Sequence, residues 1–153
     1  RSKPGARVRA AADARAVEHD NLQSGRLIPN LVSKFKEAIK NGADVVINGT
    51  GKPLRQFIYS IDLARIIKYL AVNYSNTKPV ICSSDSEISI SELADQIGDA
   101  TGFLGEIKFD TSKPDGNLKK TVDNYYLKTI IPEISFTPLT IGLRETVHAM
   151  ENK

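Results

Sequence analysis

Two short polar segments carry the residue types best suited to binding a phosphate or a sugar. Arg55 directly precedes an apolar and aromatic stretch that ends at Asp62, and the planar fork of an arginine matches the oxygens of a diphosphate. The turn 113–120, KPDGNLKK, offers an acceptor at Asp115 and cations at Lys119 and Lys120. These segments indicate either a site for an anionic, hydroxyl-rich ligand or an ordinary solvated surface, and chemistry alone leaves both interpretations open.

Residue types that catalyse reactions are placed unfavourably. Cys82 lies in an apolar stretch, which indicates a buried, inert thiol rather than a nucleophile. His148 falls near the end of the chain's last helical pattern, where we expect a solvent-facing or helix-terminal role. The adjacent tyrosines Tyr125 and Tyr126 have no lysine four residues on, as a reductase Tyr-x-x-x-Lys pair requires. We therefore predict no catalytic residue in this chain.

The segment Gly49-Thr-Gly51 has the spacing of two glycines of a nucleotide-binding loop. A dinucleotide fingerprint needs a third glycine where Leu54 stands, followed by a helix, and a P-loop needs a glycine where Val46 stands. The sequence predicts instead a tight turn between two strands.

Several periodic elements must position these segments. Apolar residues at three- and four-residue spacing predict helices at 27–41, 60–73, 89–102 and 139–150, with a short helix after Asp123. Ile39 and Ile67 are expected on the buried faces of the first two helices, and Asp62 is expected to cap the second. Ser89-x-x-Glu92 is a capping box, and short strands are predicted at 44–48, 54–59, 79–82 and 106–110.

Composition bounds the class of protein. With 153 residues, 41% hydrophobic and 25% charged, the chain is sufficient for one globular domain. The single cysteine excludes an internal disulfide and indicates a reducing compartment, so we expect a cytoplasmic location. No apolar run is long enough to cross a membrane, and no signal peptide is visible.

The basic character of the chain is concentrated at its start. The chain carries a net charge of +3, and residues 1–17 hold five basic residues and one acidic residue, which leaves the remainder near neutral. We expect residues 1–17 to be a disordered tail outside the fold, and a non-enzymatic module that binds nucleic acid or a surface through them is an unfavoured alternative. A cloning linker, a divergent natural segment and a transit or binding arm all remain open as its origin.

The two polar segments also carry a family resemblance. Residues 49–62, GTGKPLRQFIYSID, are similar to a segment of extended short-chain dehydrogenase/reductase enzymes that act on nucleotide sugars. Residues 109–120, FDTSKPDGNLKK, resemble the GDP-L-fucose synthase family in particular, as do HDN at 19–21, LIPNL at 27–31 and FTP at 136–138. The match runs in order from about residue 18 to the end of the chain, and residues 1–17 have no counterpart in it.

The resemblance implies a fold class and a reaction. The class is α/β, with residues 18–153 as the C-terminal GDP-sugar-binding part of an enzyme whose Rossmann domain is mostly missing. Such enzymes use NADPH to epimerise C3 and C5 of GDP-4-keto-6-deoxy-D-mannose and to reduce C4, giving GDP-L-fucose, and they work as homodimers. This portion alone is expected to be inactive. Another nucleotide-sugar epimerase or dehydratase, acting on UDP- or dTDP-sugars, is the alternative, and the KPDG loop argues against it.

The resemblance also implies roles for individual residues. Arg55 falls on a substrate-binding arginine expected to meet the diphosphate, and Lys34 falls on a basic substrate contact. Asp115 falls on an acidic substrate-binding position, and Lys120 on a basic residue near the nucleotide.

Two positions depart from the family pattern. Arg26 takes the place of a histidine that acts as an acid near the nicotinamide; an arginine could contact the cofactor there, but it cannot exchange a proton near neutral pH, since its pKa lies above ~12. Asn48 replaces a tryptophan near the guanine.

Overall fold

The computed structural model describes the backbone of Val8–Ala10 and residues 27–151. Helices and strands alternate irregularly along this part of the chain. The strands are β1 (Val8–Ala10), β2 (Val45–Asn48), β3 (Leu54–Gln56), β4 (Val80–Cys82), β5 (Glu87–Ser89), β6 (Ile107–Asp110) and β7 (Lys119–Lys120). The helices are α1 (Leu27–Asn41), α2 (Ser60–Asn73), α3 (Ile90–Thr101), α4 (Tyr125–Ile130) and α5 (Leu139–Glu151).

The described strands form three small sheets. β1 pairs in parallel with β4, and β2 pairs in parallel with β6. The third sheet has the order β5-β3-β7, in which β3 runs antiparallel to β5 and parallel to β7. Because β3 is central, Leu54 and Arg55 have register partners on both sides, whereas Gln56 is paired only with β5.

The apolar residues divide into two cores. The larger core lies among α1, α3, α5 and β2, where Phe35, Leu93 and Ile97 are fully buried, and the Phe35 and Phe103 rings meet edge to face at 5.1 Å. Burying one such side chain contributes about 1.5–3 kcal/mol. The smaller core packs α2 and α4 against β4. Ile88 of β5 belongs to the larger core, which anchors the β5-β3-β7 sheet to it.

The helix ends agree with the capping and spacing signals in the sequence. Ser89 caps α3 with a complete capping box, because its side chain accepts from the Glu92 N–H and its own N–H donates to the Glu92 carboxylate. Gly102 ends the same helix in the left-handed conformation at φ 69°. The helices predicted at 27–41 and 60–73 are confirmed at both ends.

Three expectations about individual side chains were wrong. Ile39 is 46% exposed and Ile67 is 45% exposed, because each lies at the margin of its helix's apolar stripe rather than over a core. Asp62 does not cap α2: the helix starts at Ser60, and the buried Asp62 carboxylate instead accepts hydrogen bonds from Thr137 N at 2.7 Å and Thr137 Oγ1 at 3.1 Å. Asp62 therefore ties α2 to the segment that precedes α5.

The structure also differs from the expectation that residues 1–17 lie outside the fold. Val8–Ala10 forms β1, whose register with β4 pairs Val8 with Val80 and Ala10 with Cys82. The remainder of residues 1–17 lies outside the described residues.

The Cys82 thiol is buried within β4. This confirms the predicted burial of the cysteine, and burial raises the pKa of the thiol to about 11. Over the described residues, no helix is both long and apolar enough to cross a membrane.

Candidate functional site

Arg55 lies in the middle of the central strand β3. Its register partners are Ile88 on β5 and Lys120 on β7, and register partners in a sheet share a face. The sheet therefore presents two cations, Arg55 and Lys120, on one face, which is the charge expected of a phosphate site.

Main-chain oxygens hold the Arg55 guanidinium. Its Nη1 donates to the carbonyl of Leu54 at 2.7 Å and to that of Asn117 at 2.9 Å. A guanidinium carries five N–H donors, and within the described residues neither Nη2 nor Nε has a recorded hydrogen-bond partner. A half-buried arginine held in this way keeps its second edge available for an anion.

The two lysines that end the turn have different surroundings. Lys119 Nζ lies 2.9 Å from Glu87 Oε1, and this contact, followed by one from Thr121, lowers the pKa of Glu87. Lys120 is exposed and takes part in no ion pair recorded within 27–151. Lys120, which shares a face with Arg55, is thus the lysine without an ion-pair partner among the described residues.

Asp115 is held by the turn between β2 and β3. Its Oδ1 accepts from the Thr50 N–H at 2.7 Å, and its Oδ2 accepts from the Thr50 hydroxyl at 2.6 Å. The Thr50 hydroxyl, then the Thr50 N–H, lower the pKa of Asp115 below its ordinary value. Both carboxylate oxygens of Asp115 therefore already have a protein partner.

The glycines of that turn make this contact possible. Gly49 has φ 92°, and a Cβ there would lie 2.3 Å from Asp115 Oδ1. Gly51 has φ 75°, and a Cβ there would lie 2.6 Å from the Phe109 ring. The turn joins β2 to β3, which confirms that it is a strand–strand turn; its space is filled by protein, so it is not a cradle for a dinucleotide.

Lys34 contacts β2, the strand that precedes the turn containing Thr50. It is exposed on α1, and its Nζ donates to the carbonyl of Val46 in β2. β2 ends at the exposed Asn48 and leads into the Gly49–Gly51 turn. The structure therefore joins Arg55, Asp115 and Lys120 through one loop and one sheet, and connects Lys34 to the strand that enters the same turn. Arg26 lies outside the described residues.

Sequence reasoning missed three residues that build the site. Thr50 and Asn117 supply the contacts to Asp115 and Arg55 described above. Gln56 is buried, accepts from Val122 N at 2.8 Å and donates to the carbonyl of Ser84 at 3.3 Å. Gln56 therefore fixes the segments that follow β7 and β4. In the sequence, only its position on the buried face of a strand indicates this role.

A cavity of about 610 Å³ opens beside β5, the strand next to Arg55. Glu87, Ile88, Gln96 and Phe136 are among its lining residues.

The described part of the chain contains no group of three or more histidine, cysteine, aspartate or glutamate side chains that could hold a metal ion.

The chain is similar to known proteins over most of its length. The GDP-L-fucose synthase of Dictyostelium discoideum is 46% identical over 132 residues, which cover 84% of this chain and 41% of that protein. Over 84% of its length, this chain is therefore similar to the GDP-L-fucose synthases. A probable GDP-L-fucose synthase of Drosophila melanogaster is 35% identical over 140 residues, covering 84% of this chain and 44% of that protein.

A solved structure and a family model extend the comparison. The crystal structure of a GDP-L-fucose synthetase from Naegleria fowleri bound to NADP matches with a TM-score of 0.82 and 40% identity, over 86% of this chain and 42% of that one. Residues 14–82 match the NAD dependent epimerase/dehydratase family, a range that begins inside the segment expected to have no counterpart. The predicted α/β class and family resemblance are confirmed, and the chain spans about two fifths of these relatives' length.

Proposed function

We propose that this chain supplies the GDP-sugar-binding part of a GDP-L-fucose synthase, and that the isolated chain binds the nucleotide sugar without turning it over. The observation that carries the proposal is the Arg55 guanidinium, which the described part of the chain holds through Nη1 alone. Nη2 and Nε remain as a pre-oriented pair of donors for a diphosphate.

The roles of the neighbouring groups follow from their contacts. Lys120, on the same face as Arg55, adds positive charge for the nucleotide, whereas Lys119 neutralises Glu87. Lys34 is an exposed cation beside β2, suited to a second substrate contact at the end of that strand. Asn48 offers an amide that can hydrogen-bond a base.

The cofactor of the whole enzyme is proposed to be NADPH. The described residues do not fit it: their paired-glycine turn is filled by Asp115 and Phe109 and leads into a strand. In this proposal the dinucleotide is held by protein outside the described residues, and hydride transfer is not a task of the described residues. Arg26 would contact the cofactor but could not serve as an acid in epimerisation near neutral pH.

The proposal includes the assembly and setting of the whole enzyme. The reaction would be the NADPH-dependent epimerisation and reduction of GDP-4-keto-6-deoxy-D-mannose to GDP-L-fucose, carried out by a cytoplasmic homodimer. The 46% identity to the Dictyostelium discoideum enzyme supports this choice of substrate.

Complementation tests the proposal. The part of the Dictyostelium discoideum enzyme that this chain does not cover would be fused to the chain. The fusion would be given GDP-4-keto-6-deoxy-D-mannose, and NADPH oxidation would be followed as the loss of reduced-nicotinamide absorbance at about 340 nm. We expect oxidation by the fusion and none by either part alone. A folded fusion that oxidises no NADPH would contradict the proposal.

A further inference from the structure

The Thr50–Asp115 contact joins two loops that both run from the β2–β6 sheet to the β5-β3-β7 sheet. Thr50 lies in the turn between β2 and β3, and Asp115 lies in the loop between β6 and β7. The Thr50 hydroxyl also accepts from the Lys52 N–H at 3.3 Å. Because the hydroxyl accepts one hydrogen bond and donates the other, its orientation is fixed.

The same loop is held a second time two residues later. The carbonyl of Asn117 accepts from Arg55 Nη1 at 2.9 Å. A shift of the loop at Asp115 would move this carbonyl, and the guanidinium would lose one of its two fixed partners. Gly116, between the two contacts, has no side chain to cover the other edge of the fork, whereas a Cβ there would be 3.6 Å from Arg55 Nη2.

We propose that Thr50 is a positioning residue for the nucleotide-sugar site: it holds Asp115, Asp115 fixes the loop, and the Asn117 carbonyl then orients Arg55. This inference rests on the proposed function for the identity of the ligand. It gives Asp115 a structural role beside the one implied by family resemblance, because each of its oxygens accepts a hydrogen bond from Thr50. In this role Asp115 acts on the ligand through Arg55.

Two conservative substitutions separate the hydroxyl from the shape of Thr50. Thr50→Val keeps the volume and the N–H but removes the hydroxyl, and Thr50→Ser keeps the hydroxyl. With the 153-residue chain and GDP in a calorimeter, we expect Thr50→Val to weaken binding about fivefold, the factor for one hydrogen bond, and Thr50→Ser to stay within about twofold. Thr77→Val, in the exposed loop before β4, is the matched control and is expected to change nothing.

A double-mutant cycle tests whether Thr50 acts through Asp115. If it does, Thr50→Val adds nothing once Asp115→Ala is present, because the hydroxyl then has no side-chain acceptor at position 115. Multiplying effects in the double variant would overturn the inference, as would a Thr50→Val variant that binds GDP like the wild type.

Hydrogen exchange distinguishes failure of this inference from failure of the proposed function. Backbone amides of residues 115–120 are expected to exchange faster in Thr50→Val and at the wild-type rate in Thr50→Ser. A wild-type chain that does not bind GDP would contradict the proposed function, and the exchange data would still decide the positioning role. Unchanged exchange in Thr50→Val would overturn that role.

Discussion

Arg55 Nη1 donates to the main-chain carbonyl of Asn117 at 2.9 Å, although the two residues are 62 positions apart in the chain. This contact ties the central strand of the β5-β3-β7 sheet to the loop that carries Asp115. A main-chain acceptor aims a guanidinium without neutralising it, so the positive charge of Arg55 remains for a ligand. The affinity of the site should therefore depend on the shape of the arginine as well as on its charge.

Replacing Arg55 by lysine tests that dependence. Arg55→Lys keeps the charge but loses the fork, so we expect GDP affinity to fall about tenfold or more, consistent with the loss of charge-assisted hydrogen bonds. Titration calorimetry measures the change, and Arg144→Lys on the exposed side of α5 is the matched control. Wild-type affinity in Arg55→Lys would show that the fork is not used.

The glycines with positive φ form a graded series. Gly42 has φ 61°, and a Cβ there would meet no other atom within 4 Å. Gly42→Ala should therefore lower the free energy of unfolding only by the left-handed backbone penalty of about 1–2 kcal/mol. Gly49→Ala and Gly51→Ala should cost more, because the new Cβ would meet Asp115 or Phe109 as well. Urea unfolding measures the order, and equal losses at Gly42 and Gly51 would argue against the packed turn.

Asp115 should report its contact with Thr50 through its titration. Hydrogen bonds from Thr50 stabilise the carboxylate and lower its pKa, so the bonded loop is fully formed above the ordinary value of 3.8 and is lost as the pH falls through the lowered pKa. In Thr50→Val the pKa of Asp115 should move up toward 3.8. Carboxyl carbon shifts in an NMR titration measure this, and an unmoved pKa would refute the contact.

Asp62 should contribute to stability rather than to binding. Its buried carboxylate accepts two hydrogen bonds from Thr137. Asp62→Ala would leave the N–H and the hydroxyl of Thr137 without this acceptor. We expect a loss of about 1–3 kcal/mol in the free energy of unfolding, measured by urea denaturation. Asp95→Ala on the exposed face of α3 serves as control; an equal effect of the two changes would refute the role of Asp62.

Cys82 should be unreactive while the chain is folded. Burial raises the pKa of its thiol from 9.0 to about 11, so little thiolate is present near pH 8. Because the native pKa is the higher one, this group's contribution to stability is fully present below about pH 9 and is lost as the pH rises toward about 11. An aromatic disulfide reagent at pH 8 should react slowly with native protein and rapidly in denaturant; fast native labelling would contradict the burial.

The helices and the strands β2, β3, β4 and β6 could be predicted from sequence, whereas β5 and β7 could not. The spacing of Leu31, Val32 and Phe35 determines α1, and the capping box at Ser89 determines the start of α3, because these signals are local. β5 and β7 are three and two residues long, too short for any periodicity. They form only because each pairs with β3, which is a property of the tertiary structure.

The site shows the same division between local and distant signals. Arg55 was identified from its residue type and its position before an apolar segment. The partners that orient it were not, because Asn117 presents a main-chain oxygen that any residue would supply. Thr50 was also missed, since its hydroxyl acquires a role only when the loop carrying Asp115, 65 positions later, folds against the turn.

Competition between GDP and UDP for the 153-residue chain tests the central claim most directly. With each nucleotide titrated separately and then against the other, the account predicts that GDP binds, that UDP displaces it only at far higher concentration, and that Arg55→Lys weakens GDP binding about tenfold or more. Equal binding of GDP and UDP, or GDP binding that Arg55→Lys leaves unchanged, would contradict the account.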